Sequence, residues 1–102
     1  MLNLFVLDYA SNKKIPAIVK NATEQDLAAT KDWQTEWTTP YVRQLPNKVA
    51  LHRADNDELL GLMSYDLDEA GLVVEILYLE NARHSNANLL RVEGGQKKYI
   101  GI

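Results

Sequence analysis

The C-terminal third of the chain places basic side chains and glycines directly after an apolar run. Residues 72–80 are apolar apart from Glu75 and Glu80, and the residues that follow include Arg83, His84, Arg91, Gly94, Gly95, Lys97, Lys98 and Gly101. Glycine lets a backbone approach a ligand closely, and Lys and Arg neutralise phosphate. Ligands of open α/β sheets bind beyond the carboxyl ends of strands. The pattern indicates a phosphate-binding loop, with a solvated basic loop as the alternative.

Two carboxylates in the apolar run are candidates for acid–base chemistry. Glu75 and Glu80 differ by five positions. In a regular strand an odd separation places two side chains on opposite faces, so we do not expect them to form a paired dyad. Glu80 stands at the carboxyl end of the run beside the basic loop, which makes it the better candidate for a general base.

The sequence offers little for metal or acyl-transfer chemistry. His52 and His84 each lack a second histidine at a ligand spacing, so we expect surface or hydrogen-bonded histidines rather than metal ligands. The acidic stretch at residues 55–58 lacks the glycine and the distal glutamate of a calcium loop, which favours a solvated turn. There is no cysteine and no Gly-x-Ser-x-Gly motif, so nucleophilic acyl transfer has no candidate.

These residues are positioned by a predicted α+β arrangement. Thr23 has the chemistry of a helix N-cap, and apolar side chains then recur at helical spacing through Trp33 and Trp37 until Pro40 ends the helix. The two tryptophans on one helix face indicate core packing, with base stacking as the alternative.

The remaining segments read as strands. Residues 2–7 are short and apolar, and residues 15–19 form an edge strand or a connector because Pro16 restricts its neighbour. Residues 48–54 and 59–65 predict an antiparallel hairpin. Residues 72–80, apolar on both faces, predict a central strand that is covered on both sides.

Length and composition fit one domain spanning residues 1–102. The chain is 46% hydrophobic and 25% charged, with a net charge of −3 and no cysteine. This balance favours a folded protein without an overall positive field for nucleic acid or an anionic membrane. No signal sequence or membrane span is evident at the N-terminus, so we expect a soluble, cytoplasmic protein.

Residues 73–102 resemble the GNAT acetyltransferase superfamily. In that family an apolar fourth strand precedes a pyrophosphate loop of pattern Arg/Gln-x-x-Gly-x-Gly/Ala, and residues 98–102 match it with Lys98 first and Gly101 in the middle. The resemblance implies that Lys98 and Gly101 contact acetyl-coenzyme A and that Glu80 acts as general base. It also implies that this chain is only the N-terminal half of the fold, because the printed sequence ends before the helix that the loop would open.

A half-fold leaves an uncovered surface and an unpaired strand edge, which a second copy could cover. We therefore expect half of a GNAT-like fold, completed by a homodimer through residues 72–79. The expected function is a non-catalytic module without a cofactor of its own that binds a small molecule or a protein. The alternatives are an N-terminal fragment of an acetyl-coenzyme A-dependent N-acetyltransferase and a folded remnant without a dedicated ligand.

Overall fold

The computed structural model describes residues 4–71, 73–86 and 96–100. Five positions singled out in the sequence lie outside the described residues, namely Leu72, Arg91, Gly94, Gly95 and Gly101. The described part is a small α+β fold that consists of a curled antiparallel sheet and a few short helices. The predicted fold class is confirmed at this level.

The described elements follow one another as β1 (Leu4–Asp8), β2 (Lys14–Asn21), α1 (Glu24–Ala28), α2 (Pro40–Arg43), β3 (Lys48–Arg53), β4 (Leu59–Leu67), β5 (Val74–Asn81) and β6 (Tyr99–Ile100), with a 3₁₀ helix at Arg83–Ser85 before β6. All neighbouring strands pair antiparallel, in the sheet order β5-β4-β3-β2-β1-β6. None of the described helices has the length and apolarity needed to span a membrane.

The main N-terminal helix is much shorter than its sequence pattern predicted. It begins as expected, because Thr23 accepts a hydrogen bond from the Asp26 backbone N–H while the Asp26 carboxylate accepts one from the Thr23 N–H. It ends at Ala28. Thr30 then donates its hydroxyl to the Leu27 carbonyl and accepts the backbone N–H of Trp37, which bends the chain into a loop.

The loop still delivers both tryptophans to the core, as predicted. Trp37 is fully buried, and Trp33 packs against the same cluster. The expectation that Pro40 ends a helix was wrong, because Pro40 is instead the first residue of α2, where its missing N–H leaves no hydrogen bond unmade.

Two strand predictions need correction. The segment around Pro16 is an inner strand rather than an edge or connector, since β2 pairs with β1 on one side and with β3 on the other. Conversely, β5 is not a central covered strand. Within the described residues it pairs with β4 alone and forms one edge of the sheet. The hairpin of β3 and β4 is confirmed.

The two faces of the sheet are covered to different extents. One face carries the helices and the main core cluster, formed by Leu27, Trp37, Val42, Ala50 and Leu62. The opposite face is here called the open face, and among the described residues its buried side chains lie at one end. At that end a second cluster contains Val6, Ala17, Leu60 and Tyr99.

Candidate functional site

Glu80, the predicted general base, is a buried anchor of the loop between the two helices. Both of its carboxylate oxygens accept the Thr35 backbone N–H at 3.2 Å, and one accepts the indole N–H of Trp37 at 3.4 Å. These bonds attach β5 to the loop that carries Trp37. Among the described residues, the Glu80 carboxylate therefore stabilises the packing of β5 against this loop.

A bulge in β5 changes the expected relation between the two glutamates. Ser64 pairs with Tyr78 but Tyr65 pairs with Ile76, so Leu77 is an extra residue in β5. The prediction of opposite faces assumed a regular strand and was wrong: Glu75 lies opposite Asp66 and Glu80 opposite Leu62, positions of β4 that share a face. Glu75 is nevertheless exposed and Glu80 buried, and five positions separate them.

Lys98, the predicted phosphate ligand, is engaged by a carboxylate. Its ammonium lies 2.8 Å from Glu58 Oε2, in the turn between β3 and β4. The Tyr99 hydroxyl donates to the other oxygen of Glu58 at 2.5 Å and accepts from Arg53 Nη1 at 2.9 Å. His84 Nε2 lies 3.6 Å from Glu58 Oε2. We call these five residues the Glu58 cluster.

Electrostatics in the Glu58 cluster follow from these contacts. Partial burial raises the pKa of Glu58, but the hydrogen bonds from Lys98 and Tyr99 outweigh burial and hold its pKa below the usual range. The hydrogen bond to Glu58 raises the pKa of Lys98. Burial lowers the pKa of His84, against the attraction of Glu58. The cluster thus holds an ionised carboxylate, an ammonium and a histidine that resists protonation.

A cavity of about 500 Å³ opens beside the Glu58 cluster and is lined by Ala29, Asp32, Trp33, Glu58, Leu59, Ala82, Arg83 and His84. His84 Nε2 is buried without a hydrogen-bond partner among the described residues, and Asp32 also lines the cavity. Both oxygens of Glu58 already accept hydrogen bonds. Ser85 Oγ, 2.7 Å from His84 Nδ1, belongs to a fully buried side chain that a substrate would not meet. The arrangement fastens β6 to the β3–β4 turn.

His52 is a buried, paired histidine, as the sequence favoured. Its Nδ1 lies 2.8 Å from the Asp57 carbonyl oxygen, and its Nε2 lies 2.9 Å from Asp26 Oδ1 but without the alignment of a hydrogen bond. These contacts join β3 to α1 and to the β3–β4 turn. Over the ranges that the structure describes, no group of three or more acidic, His or Cys side chains could hold a metal ion.

The open face carries several exposed apolar side chains of the described residues. Strand pairing places a row of side chains from β1 to β5 on this face. The pairs are Leu4 with Ala17, Val19 with Leu51, Val49 with Met63, and Met63 with Leu79. The bulge at Leu77 brings Val74 and Ile76 onto it as well, opposite Leu67 and Tyr65. Val74, Ile76 and Leu79 are 58%, 57% and 61% exposed.

A groove lies in the middle of the open face. It has a volume of about 270 Å³ and is lined by Leu4, Val19, Val49, Ala50, Leu51, Gly61, Leu62, Met63 and Leu79. Leu4 and Leu79 come from β1 and β5, which are four places apart in the sheet, so the sheet must curl around the groove. None of the described side chains that line it is charged.

The distal half of the β4–β5 hairpin projects beyond the rest of the sheet. The last pair between β3 and β4 joins Lys48 to Ser64, and the Tyr65 N–H then donates to the Asn47 carbonyl. From there to the tip, β4 and β5 pair only with each other. We call this two-stranded part, residues 65–71 and 73–76, the arm. Gly71, at φ +70°, makes its turn in a conformation that favours glycine.

The sequence predicted the apolar character of β5 but did not predict the Glu58 cluster. Nothing local links Glu58 to Tyr99, which are 41 positions apart. The acidic stretch was assigned to a solvated turn, whereas Glu58 is partly buried. The sequence contained one weak indication of the cluster. The acidic turn at residues 55–58 and the basic pair at residues 97–98 carry opposite charges.

Comparison of the chain with protein-family models, curated proteins and solved structures found no match in any of the three.

Proposed function

We propose that this chain is a non-catalytic binding module that works as a homodimer, with β5 and the open face at the subunit interface. The observation that carries the proposal is the exposure of Val74, Ile76 and Leu79 on an edge strand. Contiguous exposed apolar surface favours a protein contact, and an unpaired strand edge invites a further strand or chain.

The charge distribution favours a second copy as the partner. The sequence of the arm contains four acids and no base, Asp66, Asp68, Glu69 and Glu75. Asp66 and Glu75 lie on the face opposite Ile76, and the other two are at the tip. The apolar side of the arm is uncharged. Two copies can therefore associate through this side without bringing their carboxylates into the contact, as a two-fold interface requires.

The relationship to the GNAT superfamily is part of the proposal. It is supported by the order of elements, in which a strand region and a helical region precede three antiparallel strands. On this basis the dimer would present the surface around β5 to a small molecule or a protein, without acetyl transfer.

The alternative is a fragment of an acetyl-coenzyme A-dependent N-acetyltransferase. It is favoured by the position of Glu80 near the carboxyl end of β5. Calorimetric titration with acetyl-coenzyme A at millimolar concentration separates the two functions. The module is expected to release no binding heat, whereas saturable heat that disappears in Lys98→Ala would support the alternative.

A matched pair of substitutions tests the proposed dimer. Ile76→Glu places a carboxylate on the open face, and Ile18→Glu places one on the opposite face of β2, where Ile18 is similarly exposed. We expect Ile76→Glu to weaken the dimer about tenfold or more, since burial of an unpaired carboxylate costs well over 1 kcal/mol. Light scattering after size exclusion measures the change. Equal effects of both substitutions would contradict the proposal.

A further inference from the structure

The groove and the arm are two ends of one apolar strip. Both lie on the open face of β4 and β5: Met63 and Leu79 belong to the groove, and Leu67, Val74 and Ile76 continue the strip along the arm. The groove is concave because the sheet curls around it, and the arm projects from the sheet with only one strand partner for each of its strands.

Neither feature is expected to remain uncovered. A two-stranded hairpin has marginal stability in water unless its apolar side packs against something. The groove has only apolar lining, and Val19 on its edge is half exposed. A few aliphatic side chains would therefore fit the groove. The arm carries such side chains on its uncharged side.

We infer that the arm of each subunit packs into the groove of its partner. This inference rests on the proposed homodimer and specifies how the two copies meet. In a two-fold dimer the apolar strips of the two subunits would run antiparallel. Each arm then contacts the groove of the other subunit, so two equivalent contacts form and the assembly closes as a dimer. Asp66 and Glu75 stay on the solvent side of each arm because they lie on its opposite face.

Interface size favours this packing over pairing of the two β5 edges alone. A standard dimer interface takes about 800 Å² and about 20 to 30 residues from each subunit. An edge contact would draw on the eight residues of β5. Arm and groove together involve side chains of all five longer strands, from Leu4 on β1 to Leu79 on β5. They also place Val74, Ile76 and Leu79, each more than half exposed, inside the contact.

Cysteine cross-linking tests the geometry, and the parent chain helps because it contains no cysteine. Val74→Cys on the arm is mixed with Val19→Cys or Val49→Cys in the groove and treated with a short bismaleimide. Ile18→Cys, on the opposite face, replaces the groove variant in the control. Neighbouring thiols react at millimolar effective concentration, so the arm–groove product should exceed the control product roughly 100-fold.

Sedimentation of the same variants separates the inference from the proposed function. A dimer that yields the arm–groove product supports both. A dimer in which Val74→Cys chains link only to each other, or in which no arm–groove product forms, overturns the arm-in-groove packing and leaves the homodimer intact. Monomeric parent chain at micromolar concentration overturns the proposed function together with the inference.

Discussion

Glu58 connects the β3–β4 turn to Lys98 and Tyr99, which lie 40 and 41 positions further along the chain. It pairs with Lys98 and accepts the Tyr99 hydroxyl, and Tyr99 also receives a hydrogen bond from Arg53. The Tyr99 ring is buried among Val6, Ala17 and Leu60. The phenol therefore combines apolar packing with a polar anchor, so these two contributions can be separated by removing the hydroxyl alone.

The first prediction concerns that hydroxyl. Tyr99→Phe keeps the ring but removes the donor to Glu58 and the acceptor for Arg53, so we expect the free energy of unfolding to fall by about 1–2 kcal/mol. Urea denaturation measures the change. Tyr41→Phe is the control, because Tyr41 is 67% exposed, and it should stay within about 0.5 kcal/mol of the parent. Similar values for the two variants would show that the buried hydroxyl contributes nothing.

The second prediction concerns acid sensitivity. The pKa of Glu58 is lower in the folded chain than its usual value of 4.5. Its contribution to stability is therefore complete above about pH 4.5 and is lost as the pH falls through the folded pKa. Urea denaturation across this range should show a steeper decline for the parent than for Glu58→Gln. Parallel pH profiles would contradict this assignment.

His84 contributes a second loss in a different range of pH. Burial lowers its pKa on folding from the usual value of 6.5, so the unfolded chain binds a proton near pH 6.5 before the folded chain does. Stability should therefore begin to fall below about pH 6.5. His84→Gln is expected to remove this decline and to keep the one near pH 4.5. A decline that persists unchanged in His84→Gln would contradict the role of its burial.

At the level of elements, helix α1 shows why its start was predictable and its end was not. The start depends on Thr23 and Asp26, three positions apart, whose side chains cap each other's backbone N–H groups. The end depends on Thr30, which binds the backbone of Trp37. That bond belongs to a loop held by Glu80, 43 positions beyond Trp37. No local pattern contains this information.

The third prediction concerns the cap. Thr23→Ala removes the side chain that accepts the Asp26 N–H, and we expect a loss of about 1 kcal/mol in the free energy of unfolding. Thr39 is a matched control, because it occupies the N-cap of α2 but makes no capping hydrogen bond through its side chain. Thr39→Ala should have little effect. Chemical denaturation measures the free energy of unfolding of both variants. Equal decreases in Thr23→Ala and Thr39→Ala would show that the capping hydrogen bond is not the cause.

Strand β5 shows a limit of periodicity. Its apolar residues were predicted from composition, but their faces depend on one extra residue at Leu77. A period-two pattern cannot reveal such an insertion before the partner strand is known. The bulge places Val74, Ile76 and Leu79 on one side. It therefore concentrates on the open face an apolar surface that a regular strand would divide between two faces.

For the whole molecule, the α+β class and the strand segments followed from the sequence, whereas the strand order did not. Residues 72–80 are apolar enough for a covered central strand, whereas β5 lies at the edge of the strands that the structure describes. The described strands β1 to β5 pair in chain order, and only the pairing of β1 with β6 joins strands that are not consecutive. The edge position of β5 depends on whether a distant segment pairs with it, and a single sequence does not display such a pairing. The proposed dimer reconciles the two observations, because a partner would cover the exposed side chains of β5.

Sedimentation equilibrium of the unmodified chain at micromolar concentration tests the central claim most directly. We expect a folded species of twice the chain mass of 11.6 kDa, because in the proposed dimer a second copy covers Val74 and Ile76. A folded monomer at that concentration would contradict it.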